Sequence, residues 1–230
     1  MAKRGSIETR LEPDAAVSPR TLSQIAALAA QRHLAILGGF HADDNDNLPK
    51  GTQTLLMLGA AEPGFWAHFT AQPEWGGGAP DPMDRWSRRV IGRMACDLGA
   101  KALFPFGGPP YHPFYAWALR TGRVWQSPIK LLVHAQQGLM VSFRGAIALP
   151  ARIDLPPAAP RPCDSCAAPC KTTCPALGAA GYDLAACHAL LDGGKDCMKL
   201  GCAARRACPV AAGYARLPEH SSYHMRQFHR

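Results

Sequence analysis

The sequence predicts an α+β core followed by a small cysteine-rich module, and three observations support this division. Residues 54–59 (TLLMLG) form an uninterrupted apolar run, which is typical of a short buried strand. Residues 84–98 carry an apolar stripe at helical spacing, which is typical of an amphipathic helix. Eight of the nine cysteines lie between positions 163 and 208. The proline-rich residues 152–162 separate the two parts and mark a domain boundary.

Local patterns predict the remaining elements of the core. Apolar residues at helical spacing indicate helices, and β-rich runs on either side of a Gln-Gly turn indicate a hairpin. In chain order, we expect a helix over residues 21–32, a strand over residues 101–106, a short helix over residues 114–120 and a β-hairpin formed by residues 130–134 and 139–149.

Composition and charge limit the class of protein. The chain has 47% hydrophobic and 18% charged residues, as globular proteins do. Its net charge of +8 is spread along the chain without a run of five or six basic residues, so we do not expect a nucleic-acid partner. A diffuse positive charge suits an acidic redox partner or an anionic cofactor. No signal peptide and no membrane-spanning stretch is visible, so we expect a cytoplasmic location.

These patterns divide the chain into four parts. Residues 1–20 are expected to form a flexible arm, residues 21–155 the core, residues 156–216 the cysteine module and residues 217–230 a His-rich tail. We expect the tail histidines, His220, His224 and His229, to be exposed and without a role.

Two cysteine runs, each ending in Cys-Pro, carry the strongest chemical signal. The first run is C-x2-C-x3-C-x3-C-P from residue 163, the second is C-x4-C-x5-C-P from residue 197, and Cys187 lies between them. Clustered thiolates in a cytoplasmic protein are typical of metal ligands rather than of disulfides. A Cys-Pro ending on each run is typical of proteins that carry two 4Fe–4S clusters.

In the two-cluster arrangement, the cysteine before proline leaves its own run and binds the other cluster. The expected ligands of the first cluster are Cys163, Cys166, Cys170 and Cys208, and those of the second cluster are Cys174, Cys187, Cys197 and Cys202. The first run has one residue more between its second and third cysteines than the bacterial ferredoxin run, and a loop absorbs one added residue. Two zinc sites with four thiolates each are the alternative, but they do not explain the two Cys-Pro endings.

Two motifs in the core resemble those of a known family. Asp81-Pro82-Met83-Asp84 precedes Ile91-Gly92-Arg93, like a DPxD helix start, and residues 133–150 (VHAQQGLMVSFRGAIALP) are similar to a paired-strand motif that ends in RGxxLLP. Both motifs resemble the cblC-type proteins, which remove upper ligands from vitamin B12. The resemblance implies a nitroreductase-like core, which holds a flat ring against its sheet. That ring would be a corrinoid or, alternatively, a flavin.

The cysteine module resembles the C-terminal part of epoxyqueuosine reductase, a cobalamin and iron–sulfur enzyme. Tyr182-Asp183-Leu184 leads to Cys187 as a similar segment leads to that family's fifth cysteine, and the count of eight ligands agrees. The resemblance implies a ferredoxin-like module with two clusters. Where the reductase has a general acid, residues 106–110 (FGGPP) hold no carboxylate, so we do not expect epoxyqueuosine reduction.

Four residues of the core are candidates for contact with the ring. Arg144 lies in an otherwise apolar strand, where a guanidinium needs a partner or an anionic ligand, and by resemblance it faces the corrinoid. Tyr111 and His112 lie in a Gly/Pro-rich loop that is suited to line the ring face. His134 begins a turn, where it is either a ring contact or a structural hydrogen-bonding group.

The resulting hypothesis is a redox protein whose two 4Fe–4S clusters pass electrons to a bound corrinoid, as an oxidoreductase that reduces cobalamin or removes its upper ligand. An electron-donor protein or reductase is the expected partner. Two alternatives remain open, a ferredoxin-like carrier without a corrinoid and a flavin-dependent reductase. The lone Cys96 is expected to be a small buried residue of its helix.

Overall fold

The structure, a computed structural model, describes residues 20–178 and 181–229. All but the last residue of the predicted arm lies outside the described residues. The strands are β1 (Leu34–His41), β2 (Thr54–Ala60), β3 (Lys101–Leu103), β4 (Val124–Gln126), β5 (Leu132–His134), β6 (Phe143–Leu149), β7 (Leu177–Gly178) and β8 (Gly181–Tyr182). The helices are α1 (Leu22–Ala30), α2 (Phe65–Thr70), α3 (Pro73–Gly76), α4 (Pro82–Asp97), α5 (Phe114–Arg120), α6 (Leu184–Asp192), α7 (Cys197–Leu200), α8 (Ala203–Arg206), α9 (Pro209–Ala212) and α10 (Pro218–Phe228).

A four-stranded antiparallel sheet with the order β1-β2-β6-β3 forms the centre of the core. Every residue of β2 is buried, as its apolar run predicts. Helices flank the sheet, so the predicted mixture of helices and antiparallel strands is confirmed. Among the described residues, no helix has the length and apolar character needed to cross a membrane.

Each face of the sheet packs against a helix. On one face, α4 buries Trp86, Val90 and Met94, which are the residues of its predicted apolar stripe, against β2 and β6. On the other face, α5 contributes Phe114 and Trp117 to a second apolar cluster. Burying both faces removes a large apolar area from water, which is the main stabilising term for such a core.

The predicted helix over residues 21–32 is confirmed as α1, but the apolar residues after it form β1, which was not predicted. His33 separates the two elements by adopting a left-handed backbone conformation (φ 51°). The predicted hairpin does not form, because β5 pairs with β4, and β6 pairs with β2 and β3. Residues 135–142 instead carry the chain from the small sheet to the large one.

The cysteine module packs on the core through apolar contacts. Ile129, Val133 and Leu139 lie in one buried cluster with Cys170 and Cys208. The module's own secondary structure is limited to a short β7–β8 ribbon, a 3-10 turn and helices of 4 to 9 residues. Such short elements bury little surface by themselves, so the module depends on its packing against the core for stability.

The C-terminal residues are not an exposed tail, which corrects the prediction for its histidines. They form α10, which begins at Pro218 and buries Tyr223 and Met225. His220 is only 1% exposed and stacks on Trp66. The tail was expected to be exposed because its histidines are polar, but His220 and His224 lie on the buried face of the amphipathic α10. His229 follows the helix and contacts His188 and Asp192.

Candidate metal centre

The first group of four cysteines comes from two distant parts of the module. Three of them lie on the loop and 3-10 turn that begin the module, and Cys208 is the residue that precedes α9. Burial raises the pKa of the Cys163 thiol, and the nearby thiols of Cys166, Cys208 and Cys170 raise it further. Burial likewise raises the pKa of Cys170, with Cys208 as the next contribution. These four thiols are therefore electrostatic neighbours.

The second group gathers around Cys187 on α6. Burial raises the pKa of the Cys187 thiol, and the nearby thiols of Cys202, Cys174 and Cys197 raise it further. Cys197 begins α7 and Cys202 precedes α8, so the short helices of the module present their first residues to this group. Cys187, Cys174, Cys197 and Cys202 also lie in one apolar cluster with Leu191 and Met225.

The two groups have the same members as the two ligand sets that the Cys-Pro endings predict. Cys170 and Cys174 are close in the sequence, yet Cys170 interacts with Cys208, and Cys174 interacts with Cys187. All nine cysteines are free thiols. The unused one, Cys96, is exposed on α4 rather than buried, which corrects the prediction for it.

The donor chemistry of each group, four thiols in an apolar setting, fits a 4Fe–4S cluster. Within the described residues, no group of three or more His, Cys, Asp or Glu side chains is arranged to hold one metal ion. Four thiolates around one zinc ion lie ~3.8 Å apart, because each Zn–S bond is ~2.3 Å long. The four thiolates of a cubane bind four different iron atoms and lie farther apart.

A glycine of the core makes room for the first group. Gly138 adopts φ +54°, and a Cβ atom at this position would lie 2.8 Å from Sγ of Cys208 and 2.6 Å from the backbone nitrogen of Ala211. In addition, the backbone N–H of Ala168 donates a hydrogen bond to Sγ of Cys166 over 3.3 Å. The core and the loop thus both shape the surroundings of the thiols. Sequence analysis missed Gly138, whose only signal is its place in a Gln-Gly turn.

A cavity of about 300 Å³ adjoins the second group of cysteines. Cys187 and Cys202 form part of its wall, Leu131 and residues 140–142 of the core form another part, and residues of α10 form a third. The polar residues of the wall include Arg205, Arg216 and His224. Sequence analysis identified neither the cavity nor its arginines, because the wall combines residues from three separate segments.

A buried chain of three side chains leads to this cavity. Oε1 of Glu62 lies 2.7 Å from Nδ1 of His220, and Nε2 of His220 lies 3.1 Å from Nε2 of His224. Burial raises the pKa of Glu62, and burial lowers the pKa of both histidines. Both imidazoles are therefore neutral at pH 7, and the protonation state of Glu62 sets which nitrogen of each ring carries the proton.

The predicted ring contacts are not gathered around one cavity. The guanidinium of Arg144 is largely buried and pairs with Asp84, with Nη1 3.3 Å from Oδ1. Tyr111 is 67% exposed, and His112 stacks on Trp117 at a centroid distance of 5.5 Å. These two residues line a shallow cavity of about 160 Å³ near Arg88.

His134 is buried, and the backbone satisfies its hydrogen-bonding groups. Its Nδ1 accepts hydrogen bonds from the backbone N–H groups of Gln136 and Gln137, at 3.2 and 3.1 Å. Burial lowers its pKa to about 4, although a hydrogen bond with the backbone of Leu37 opposes the shift. The imidazole lines a cavity of about 240 Å³ beside β1, which is separate from the cavity near Cys187.

This burial predicts a loss of stability in acid. His134 is neutral when folded but becomes protonated in the unfolded chain as the pH falls below about 6.5. The wild-type protein should therefore lose roughly 3 kcal/mol of unfolding free energy between pH 7 and pH 4 through this group, because each pKa unit corresponds to about 1.4 kcal/mol.

The variant His134→Asn tests this effect, because Oδ1 of asparagine can accept the same two N–H groups and does not titrate. We expect its urea midpoint to fall less than that of the wild type between pH 7 and pH 4. Equal pH dependence of the two proteins would contradict this account, because it would show that the pKa of His134 is the same in the folded and unfolded states.

No protein-family model, curated protein or solved structure matches this chain. The resemblances to the cblC-type proteins and to epoxyqueuosine reductase therefore remain expectations. The grouping of the cysteines and the cavity beside them are the features of this chain that bear on its function.

Proposed function

We propose that the protein is a redox protein with two 4Fe–4S clusters. The observation that carries the proposal is the division of eight thiols into two groups of four, each with one member from the far end of the other run. Two four-thiolate zinc sites would divide the thiols in the same way, so iron analysis is needed to separate the two possibilities. We also propose that the cysteine module is ferredoxin-like and that the core is nitroreductase-like.

The chain's own residues would hold and insulate the clusters. Cys163, Cys166, Cys170 and Cys208 would hold one, and Cys174, Cys187, Cys197 and Cys202 the other. Bound clusters supply single electrons at a potential that the surroundings tune. Here the backbone N–H of Ala168 donates to a ligand sulfur, and apolar side chains such as Val133 and Leu139 exclude water.

The size of the cavity beside the second group restricts which electron acceptor can bind there. The cavity beside the second group holds about 300 Å³, which suits a small molecule rather than a corrin ring with its side chains. Electron transfer to a corrinoid remains a prediction from the resemblance. The flavin alternative, an electron-donor protein as partner and a cytoplasmic location also remain predictions. A corrinoid would have to lie on the surface of the core, near Arg144 or the loop of Tyr111.

A reductive titration without oxygen tests the proposal and its acceptor together. We expect the purified protein to take up about two electrons per chain from dithionite with loss of its absorbance near 400 nm, because each cubane accepts one electron. Hydroxocobalamin is then added, and the formation of cob(II)alamin is followed by its spectrum. In the corrinoid hypothesis, Arg144→Ala slows this reaction and leaves the electron uptake unchanged.

The outcomes separate the hypotheses. Two reducible centres with no reaction towards cobalamin would favour the electron carrier. A protein that takes up no electrons would contradict the proposed function.

A further inference from the structure

The cavity beside Cys187 and Cys202 has two cationic side chains on its wall. In the described part of the chain, neither Arg205 nor Arg216 forms an ion pair with a carboxylate within 4.0 Å, although the more distant Glu62 interacts electrostatically with Arg216. Arg216 is cationic at pH 7, because burial lowers its pKa only to about 10. Two guanidinium groups facing the same small cavity repel each other, and an anion between them would remove that cost.

Backbone carbonyls hold both guanidinium groups in place. Nη1 of Arg205 donates to the carbonyl oxygen of Leu139, and Nη1 of Arg216 donates to that of Met140 over 2.8 Å. These carbonyls belong to consecutive residues, so they fix the two side chains next to each other. A guanidinium has five N–H donors, and each of these uses only part of that capacity. Nε of Arg216 is buried and has no hydrogen-bond partner among the described residues.

The rest of the wall indicates a ligand with an apolar body. Leu131, Met140, Val141 and Met225 contribute apolar surface. His224 adds a neutral imidazole, which lies at the end of the chain from Glu62. A volume of about 300 Å³ is at the small end of ligand sites in proteins.

We propose that this cavity is a binding site for a small organic anion whose head is held by Arg205 and Arg216. The arginine fork matches both carboxylate and phosphate oxygens, and the apolar wall encloses the body of the ligand. Binding of the anion does not depend on the clusters. Its role as the electron acceptor rests on the proposed function, because Cys187 and Cys202 form part of the same wall.

A second role for Arg205 is consistent with this site. Burial lowers the pKa of Arg205, and the nearby Cys202 opposes that shift, so the two side chains are electrostatic neighbours. Arg205 would therefore also offset negative charge at the second group of thiolates. Arg216 has no such cysteine neighbour among its resolved interactions, and it is the cleaner probe of anion binding.

Calorimetry on the anaerobically purified protein tests the site with three probes: benzoate, phenyl phosphate and the neutral isostere benzamide. We expect at least one of the two anions to bind 10-fold or more tightly than benzamide, and the tighter anion identifies the head group. Arg216→Gln should weaken the binding of that anion about 10-fold or more, which is the typical effect of losing a charge-assisted hydrogen bond.

Arg206→Gln is the matched control, because Arg206 is exposed on the same short helix as Arg205 and does not line the cavity. It should leave binding unchanged. Val141→Phe keeps both arginines and fills part of the cavity, so it should abolish binding with an unchanged circular dichroism spectrum. These two variants keep the test valid if Arg216→Gln does not fold.

Three results would overturn the anion site: equal affinity for benzoate and benzamide, no binding of either anion at 10 mM, or equal loss of binding in Arg206→Gln. Iron analysis of the same samples separates this proposal from the proposed function. If iron-free protein binds the anion in a manner that depends on Arg216, the anion site stands and the iron–sulfur proposal fails.

Discussion

Replacing Cys208 by alanine is expected to remove the first cluster and to leave the second. The iron content should fall from about eight to about four atoms per chain, because a cubane that loses one of its four thiolates is rarely retained. The effect follows from the electrostatic interaction of Cys208 with Cys163 and Cys170 of the first run.

The informative comparison is with two further variants, Cys166→Ala and Cys174→Ala. Electron paramagnetic resonance of the reduced proteins should give the same spectrum for Cys208→Ala and Cys166→Ala, since both retain the second cluster. The spectrum of Cys174→Ala should differ, since it retains the first. If each run held its own cluster, Cys174→Ala would instead match Cys166→Ala, and the crossed assignment would be wrong.

Cys96→Ala is the control for this series. Cys96 is exposed on α4 and belongs to neither group of thiols. The variant should keep about eight iron atoms per chain and an unchanged spectrum. A loss of iron in this control would mean that the series reports on general instability rather than on ligands.

The second large effect is expected for Gly138→Ala. A side chain at this position adopts an unfavourable positive φ and meets Sγ of Cys208 and the backbone of Ala211. The left-handed conformation costs about 1 kcal/mol, and the clash adds about 2 kcal/mol in a packed site, so we expect a loss of about 3 kcal/mol of unfolding free energy. Cys208 would be displaced, and the first cluster should be lost preferentially.

Gly99→Ala provides the matched control. Gly99 has a similar conformation, φ +60°, and nothing lies within 4 Å of its Cβ position. The Gly99→Ala variant should lose only the free energy that the left-handed conformation costs, about 1 kcal/mol of unfolding free energy. It should keep its iron. Urea denaturation and iron analysis of both variants measure the difference. If Gly138→Ala were as stable and as rich in iron as Gly99→Ala, the module would not be seated on this turn.

Elements with a strong local pattern could be predicted from the sequence. The run of β2 is apolar throughout because both of its faces are buried, and the stripe of α4 follows the 3.6-residue period of a helix with one buried face. The Cys-Pro endings likewise carry enough information to propose two crossed ligand sets, since the chemistry of a four-thiolate cluster restricts the possible groupings.

Features that depend on distant contacts could not be predicted in this way. β1 follows a helix of similar composition, and its place in the sheet is set by its pairing with β2. The helix α10 was missed because its histidines are polar, yet His220 is buried by stacking on Trp66 and by its contact with Glu62. The short apolar run of β5 gives no indication of its partner, which is β4 rather than β6.

In the candidate site too, some features can be predicted from the local sequence and others depend on contacts between distant residues. Its cysteines can be recognised from their spacing, but the cavity beside them requires Leu131 to meet Arg216 and Met225, which lie across most of the C-terminal half of the chain from it. Arg144 was singled out because a charge in an apolar strand needs a partner. That partner is Asp84 of α4, so the pairing accounts for its burial without a ligand.

The central claim is that the eight grouped cysteines hold two iron–sulfur clusters. Mössbauer spectroscopy with iron and sulfide analysis of oxygen-free, ⁵⁷Fe-labelled protein tests it most directly. The expected result is about eight iron and about eight sulfide per chain, all of the iron in cubane-type sites. Four-thiolate zinc at about two atoms per chain, or protein without iron, would contradict it.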